Sequence, residues 1–463
     1  MRGSCRSGGV YPALRVIAAG LAGLCLAGPV AAKDLGDILV EKGLITADEL
    51  KQAREEEKQK GAAEESRREA IAAKLPAWLS MFTPFGDVRT RLEGFYANDL
   101  NARTRARLRA RLGFTVAPVD EVSATIRIAS GNPDDPISTN QSFERTFTRK
   151  SINLDQAYIM IKPGKTFGLE PGWGYLAGGK MPVMAYRTSE MVFDDDLAPE
   201  GAQEQLVAVE HREGAFRGLK LNGFQWVVDE TASGGEPWMI GGQILTDFAV
   251  DDIATMTFGF ADYSYQDMDK VAAKFLEKTS SSFNSQLAVT NQFDRNADGK
   301  ITGFDSNFNI VNFNGEVNFP NVWKSYATGL FGDLAYNTGA DNNRNLGFVI
   351  GAGFGSSGRD WYHNNLKTPG QWAATYLYQH VEQDAVPAMF GYSDAEYVTK
   401  KGTVRGETNN EAHILRFDYV LFPNFQLTAK VHFINALDRD NSSAALNGNA
   451  TLIRTQLDAN LKF

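Results

Sequence analysis

From about Gly86 to the carboxy terminus, apolar and polar residues alternate with a period of two. That spacing puts successive side chains on opposite faces of a strand and does not suit a helix. Ile453, Thr455, Leu457, Ala459, Leu461 and Phe463 interleave with Arg454, Gln456, Asp458, Asn460 and Lys462. Ala106, Leu108, Ala110, Leu112, Phe114 and Val116 interleave with a set that begins Arg103, Arg105, Arg107, Arg109 and Arg111. The pattern recurs over 254–260, 311–319 and 425–433, where the polar face includes Asn312, Asn314, Asn318, Lys430 and His432. A packed core would reject such a face. After residue 32 no apolar run approaches the ~20 residues that a spanning helix needs, whereas a barrel strand needs only about 10 alternating residues.

Sixteen candidate strands lie near 86–97, 103–117, 121–131, 152–162, 173–182, 214–222, 224–231, 237–246, 252–265, 307–319, 322–337, 345–356, 370–382, 412–422, 425–435 and 452–463. An even count suits a closed bacterial barrel. The connections alternate in length. Pro118-Val119-Asp120, Pro320-Asn321 and Pro423-Asn424 are short, the last two within a repeated Phe-Pro-Asn turn, while 132–151, 183–213, 266–306, 383–411 and 436–451 are long. Short periplasmic turns and long outer loops would produce that parity. The stretch 356–369 is longer than the rule allows, so a flanking strand is expected to extend into it. A soluble sandwich also alternates, but it does not usually end on an exposed aromatic residue such as Phe463. Outer-membrane barrels characteristically do, and that likeness implies recognition of Phe463 by the barrel-assembly machinery. The expected fold is therefore all-β: a transmembrane antiparallel β-barrel of about 16 strands over 84–463, set in outer-membrane lipid. About 16 strands enclose a water-filled interior rather than a packed core, so passive diffusion of small polar or charged solutes follows from geometry.

The amino terminus supports export. Arg2, Arg6 and Arg15, an apolar stretch from Val16 to Leu26, and Val30-Ala31-Ala32 form a signal peptide over 1–32. Leu24 before Cys25 argues against a lipoprotein. Cys5 and Cys25, the only cysteines, fall within this segment, so thiolate metal sites, disulfides and covalent haem attachment are excluded from a chain that begins at Lys33. Loss of the three arginines leaves 44 basic against 56 acidic residues, a net charge of −12, which argues against a nucleic-acid partner. Residues 33–83 read as a periplasmic helical segment and linker. Thr46-Ala47-Asp48-Glu49 has the form of a capping box, and the charged run 54–68 reads as a solvated helix or as a tether or oligomerisation helix.

Three groups of residues are candidate sites. Arg103, Arg105, Arg107, Arg109 and Arg111 share one face by period, and five guanidinium groups on one pore-lining wall repel one another unless screened. The third outer loop, residues 183–213, carries Asp194, Asp195, Asp196 and Glu200. Folded inward, it would face the ladder as a constriction loop and set up a transverse field. Alternatively it stays outside as an acidic cap, and the ladder pairs with acids such as Glu93. Asp294, Asn296, Asp298, the Lys300 carbonyl and Asp305, with Gly299 at the sixth position, match a calcium loop. Structural Ca²⁺ or a plain polar turn would both suit a long loop. The five histidines are scattered, and no nucleophile elbow or phosphate-cradling loop is present, so no enzyme is expected.

Gly178-Gly179-Lys180-Met181-Pro182, the run from Asp194 to Gly201, the run from Asp384 to Asp394 and the arginine-rich second strand together resemble the putative porin family over roughly 84–463. The resemblance implies a 16-strand-type barrel, passive diffusion and often a homotrimer. Residues 35–53 are similar to a small helical module found at the amino termini of secretion ATPases, with no ATPase following. Two other readings stay open at this point, a barrel sleeve for an electron-transfer partner and an envelope tether built on 33–78.

Overall fold

The computed structural model describes Thr46, Asp48, residues 51–52 and residues 76–463 apart from 99, 145, 171, 231–234, 278–289, 400–401 and 439–449. The chain divides into two compact units, Met1–Ser80 and Met81–Phe463. The expected signal over 1–32 and most of the expected helical segment lie outside the described residues. In the first unit Asp48, Lys51 and Gln52 are helical.

The second unit is a barrel of sixteen strands: β1 (Phe82–Tyr96), β2 (Arg103–Val119), β3 (Val122–Ser130), β4 (Ile152–Ile161), β5 (Gly174–Lys180), β6 (Glu200–Glu210), β7 (Phe216–Val227), β8 (Trp238–Val250), β9 (Ala254–Gln266), β10 (Asn309–Trp323), β11 (Tyr326–Asn337), β12 (Leu346–Gly355), β13 (Trp372–Val381), β14 (Asn410–Phe422), β15 (Phe425–Ala436) and β16 (Leu452–Lys462). Each pairs antiparallel with its neighbour in sequence, and β1 pairs with β16 to close the ring. Phe463 completes the seam: its N–H donates to the Gly86 carbonyl at 3.0 Å and its carbonyl accepts from the Gly86 N–H at 2.9 Å. Closure leaves no strand edge, as a spanning sheet requires.

The usual burial order is reversed. On β16, Leu457 and Leu461 are each 44% exposed, whereas Arg454 and Gln456 are each 1% exposed. Apolar side chains face outward to lipid and polar ones face inward. Around the short-turn end, aromatic rings form a belt, with Tyr326 and Trp372 centroids 5.1 Å apart and Phe354 and Trp372 5.6 Å apart. Such girdles mark the membrane interface.

Four expectations about the strands change. The stretch Glu200–Glu210, expected as loop, is strand β6, and the two strands expected at 214–222 and 224–231 are the single strand β7. The total of sixteen survives because one omission offsets one division. Strand β6 was hidden because its outward face begins Glu200, Ala202, Glu204 rather than with apolar residues. Gly223 looked like a break, but it lies in register between Glu204 and Gly242. The turn expected at Pro320-Asn321 lies at 324–325, since β10 continues to Trp323 across a bulge. Proline cannot donate to a ladder and is tolerated at a bulge. Finally, neither β12 nor β13 extends into 356–369. That segment is a true connection, and it folds inside the barrel.

Candidate functional site in the lumen

The β1–β2 register sets like charges opposite one another. Arg89 faces Arg109 and Arg91 faces Arg107, with Asp87 opposite Arg111 and Glu93 opposite Arg105. Opposed like charges destabilise a strand pair, so this wall needs carboxylates. Strand residues supply some of them. Asp87 lies 2.9 Å from Arg109 and 2.6 Å from Arg111, and Glu93 lies 2.6 Å from Arg105 and 2.8 Å from Arg454. Asp458 lies 2.7 Å from Arg91. Loops that bend inward supply the rest. Asp196 reaches Arg111 at 3.1 Å and Arg109 at 3.7 Å, Asp394 reaches Arg454 at 2.8 Å and Arg91 at 3.3 Å, and Glu396 lies 3.5 Å from Arg105. Arg107 lies 4.0 Å from Glu93. Arg103, at the end of the ladder, lies over the Phe95 ring at 5.6 Å.

Residues 181–199 join β5 to β6 and run inward across the lumen. On one side their backbone is held by an amide wall. The N–H groups of Met184, Tyr186 and Thr188 donate to the side-chain oxygens of Gln203, Gln243 and Asn314, each at 2.9 Å. Gln203 and Gln243 donate back to the Pro182 carbonyl at 2.9 Å and the Tyr186 carbonyl at 2.8 Å. Every second loop residue thus meets an amide on the next strand or beyond, much as a strand meets its ladder. Phe193 anchors the loop among the rings of Trp226 and Tyr263, with centroids 5.1 and 5.0 Å away.

On its other side the loop presents three carboxylates with different partners. Asp194 accepts from the Ser393 N–H at 3.0 Å, which ties it to the segment 382–409. Asp195 lies 3.0 Å from Arg187 and 3.1 Å from His363. Asp196 lies at the arginine wall. Burial alone would raise all three carboxyl pKa values. For Asp196 the Arg109 and Arg111 guanidinium groups outweigh burial and hold it at about 2. For Asp195, which keeps 43% of its side chain exposed toward the passage, His363 and Arg187 hold it well below the usual range. Among the described residues Asp194 forms no ion pair, and burial, reinforced by Glu190 and Asp196, pushes it well up. Glu190 is raised by burial and by Asp195. Burial would lower His363, but Asp195 and Asp360 raise it to about 10, so it stays charged at neutral pH.

A passage of about 420 Å³ remains among these groups, lined by Arg89, Arg111, Arg127 and Lys430 and by Glu190 and Asp195. Some of the expected site residues lie elsewhere. Glu200 is the first residue of β6, and because Gln203 points inward with 0% exposure, Glu200 points outward, 3.0 Å from Lys180. It is not part of the inward loop. His432 faces inward but lines no passage, since it is fully buried beneath Tyr392, whose hydroxyl lies 2.8 Å from its Nε2. Residues 293–304 form a small hairpin, Phe293–Arg295 with Ile301–Phe304. There the Asn296 side-chain oxygen accepts from the N–H groups of Asp298 at 3.1 Å and Lys300 at 2.9 Å. Asp305 lies 3.4 Å from the Asn342 amide, and Asp294 stands opposite Gly303. Among the described residues no cluster of three or more His, Cys, Asp or Glu has the spacing of a metal site.

Sequence reasoning missed Gln203 and Gln243, which hold the loop, and Asp394, and it placed on polar strand faces, without singling them out as site residues, Lys430 and Arg454. For the last two a signal existed, since both fall on inward positions of strands already recognised. For Gln203 there was none, because its strand was not recognised.

The profile of the putative porin family matches residues 94–446. No curated protein matches the sequence. Among solved structures, the high-pH structure of OprB from Pseudomonas putida is 10% identical, with 83% of this chain and 94% of that chain covered and a TM-score of 0.49. An anion-selective porin from Comamonas acidovorans is 11% identical, with coverage of 82% and 99% and a TM-score of 0.41. The trimer form of OmpT, an outer membrane protein of Vibrio cholerae, is 9% identical, with coverage of 82% and 99% and a TM-score of 0.43. A closed sixteen-strand barrel with an apolar outside, a polar lumen and a family match over most of its length identifies this chain as a member of the putative porin family, an outer-membrane channel for solute diffusion.

Proposed function

We propose that the passage favours small anions over cations and that loop 181–199 is its constriction. The observation that carries this reading is the charge left over once the ion pairs are made. Lys430 and Lys462 line the passage and, among the described residues, neither has a carboxylate within ion-pair distance, Lys462 meeting only the Asn365 amide oxygen at 3.5 Å. Glu190 and Asp194, lining carboxylates that form no ion pair among the described residues, are those whose pKa values are raised. Local charge outweighs the overall acidity of the chain because the Debye length at physiological salt is only about 8 Å. The arrangement supports a channel rather than a catalyst, since the charged groups are largely spent on one another.

Single-channel recording of the refolded protein under a salt gradient tests the reading. The wild type is expected to show stepwise, anion-preferring currents. Neutralising Arg105, Arg107 and Arg109 together is expected to shift the reversal potential toward cation preference, and an unchanged potential would overturn the role given to that wall. A homotrimer is the assembly the family resemblance implies, and it would give steps in threes. The outward Glu204, bonded to Gln225 at 2.9 Å, fits poorly against hydrocarbon and favours cover of that face by another copy. Export by cleavage before Lys33 and recognition of Phe463 by the barrel-assembly machinery belong to the same proposal. So does weak structural Ca²⁺ at Asp294, Asn296, Asp298, the Lys300 carbonyl and Asp305. It would require Asn296 to exchange its backbone partners for the ion. Calorimetric titration with millimolar Ca²⁺ is expected to give a small binding heat that is lost in Asp298→Ala, and a flat trace for the wild type would remove calcium from the account.

A further inference from the structure

Residues 356–371, between β12 and β13, are the longest connection at the short-turn end. A connection between adjacent antiparallel strands needs only two to about five residues. This one rises into the lumen instead of crossing the rim. Trp361 is fully buried against β11 and β12, where Gly329 and Gly353 face each other in register. A Cβ on Gly329 would lie 2.0 Å from the indole nitrogen, and one on Gly353 would lie 2.1 Å from the indole ring. The wall therefore has a dent in which only glycine leaves room for Trp361. The Glu316 carboxylate accepts the N–H groups of Asp360 at 2.8 Å and Trp361 at 3.0 Å, and Asn318 accepts the indole N–H at 2.7 Å. Asn364 donates to Asp418 at 3.0 Å, and Arg416 donates to the carbonyls of Tyr362 and His363.

The tip of this segment meets loop 181–199. The Tyr362 hydroxyl donates to Glu190 at 2.7 Å, and His363 meets Asp195 at 3.1 Å. Asp360, Tyr362 and His363 line the same passage as the arginine wall. We propose that residues 356–371 form a second constriction element, inserted from the short-turn end, which together with loop 181–199 sets the size limit for solutes. The proposal rests on the channel reading. It assigns the segment a fixed place rather than a gating motion, because the indole dent and the backbone bonds to Glu316 and Arg416 hold it on the wall.

The test is single-channel recording of His363→Cys. The only native cysteines, Cys5 and Cys25, precede the barrel. Modification by a bulky, negatively charged thiosulfonate reagent is expected to cut the conductance step by about half. Full modification with unchanged current would overturn the proposal. Gly353→Val, which alters no charged group, is expected to unseat Trp361, raise the conductance and admit larger neutral sugars in liposome swelling. A folded Gly353→Val barrel with the wild-type size limit would also overturn it. A folded wild-type barrel that carries no current would overturn the channel reading and this inference with it. A conducting wild type with silent variants would overturn this inference alone.

Discussion

The amide wall and the arginine wall face each other across one lumen and treat the same loop differently. Gln203, Gln243 and Asn314 are neutral and can both donate and accept, so they satisfy loop backbone at every second residue. The arginines can only donate, and they repel one another. They draw in carboxylates, Asp196 from one loop and Asp394 from another. One wall positions the loop, and the other uses the charge that the loop presents. A lumen needs both, because a backbone laid against arginines alone would leave its N–H groups unpaired, and a lumen of amides alone would carry no field.

The largest expected effect comes from the amide side. Gln243→Leu combined with Asn314→Leu removes the acceptors of the Tyr186 and Thr188 N–H groups, at a cost of about 1–3 kcal/mol for each group left buried and unpaired. Release of the loop is expected to raise the conductance and lower the thermal unfolding midpoint. Unchanged conductance would break the comparison, since the loop would then be held by the arginine side alone.

A smaller effect is expected from Asp196→Asn. The loop keeps its amide bonds, while Arg109 and Arg111 lose one of two carboxylate partners and keep Asp87. Anion preference should rise, with conductance nearly unchanged. An unchanged anion preference would show that the arginines do not reach the permeating ion.

The smallest effect is the pH dependence. Burial and neighbouring carboxylates raise the pKa values of Glu190 and Asp194, so both stay protonated at a pH where ordinary carboxyls are ionised. Lys430, Arg416, Tyr362 and Tyr392 face Glu190, and Asp195 and Asp196 lie beside the pair on its own loop. As pH rises, ionisation adds negative charge, so anion preference should be greatest in acid and decline toward alkali. The stability contribution runs the same way. A pKa raised by folding stabilises below the ordinary carboxylate range and loses that contribution as pH rises through the raised value. Reversal potentials measured across pH for the wild type and Glu190→Gln check this, and equal slopes would remove Glu190 from the passage.

Most barrel strands were legible in the sequence because lipid on one side and water on the other impose a period of two. Recognition failed where one side was not lipid-like, as on β6, with Glu200, Ala202 and Glu204 facing outward. It also failed where a bulge absorbed a proline, at Pro320. The arginine ladder was legible because its five members share a single strand. Its partners were not, because Asp394 and Arg454 are 60 residues apart in sequence and meet only through a loop that folds back inside.

Alternation, the lack of a spanning helix and the paucity of strong apolar runs determined that this chain would close into a barrel with a polar lumen. Those are local properties, set by which face of each strand meets hydrocarbon. The tertiary structure alone decided what fills the lumen. Loop 181–199 and the segment 356–371 carry no periodic signal, and their paths depend on receptors from distant strands: Gln243 and Asn314 for one, and Gly329 and Gly353 for the other. Such receptors exist only once the ring has closed, because closure brings strands far apart in the chain around one shared interior.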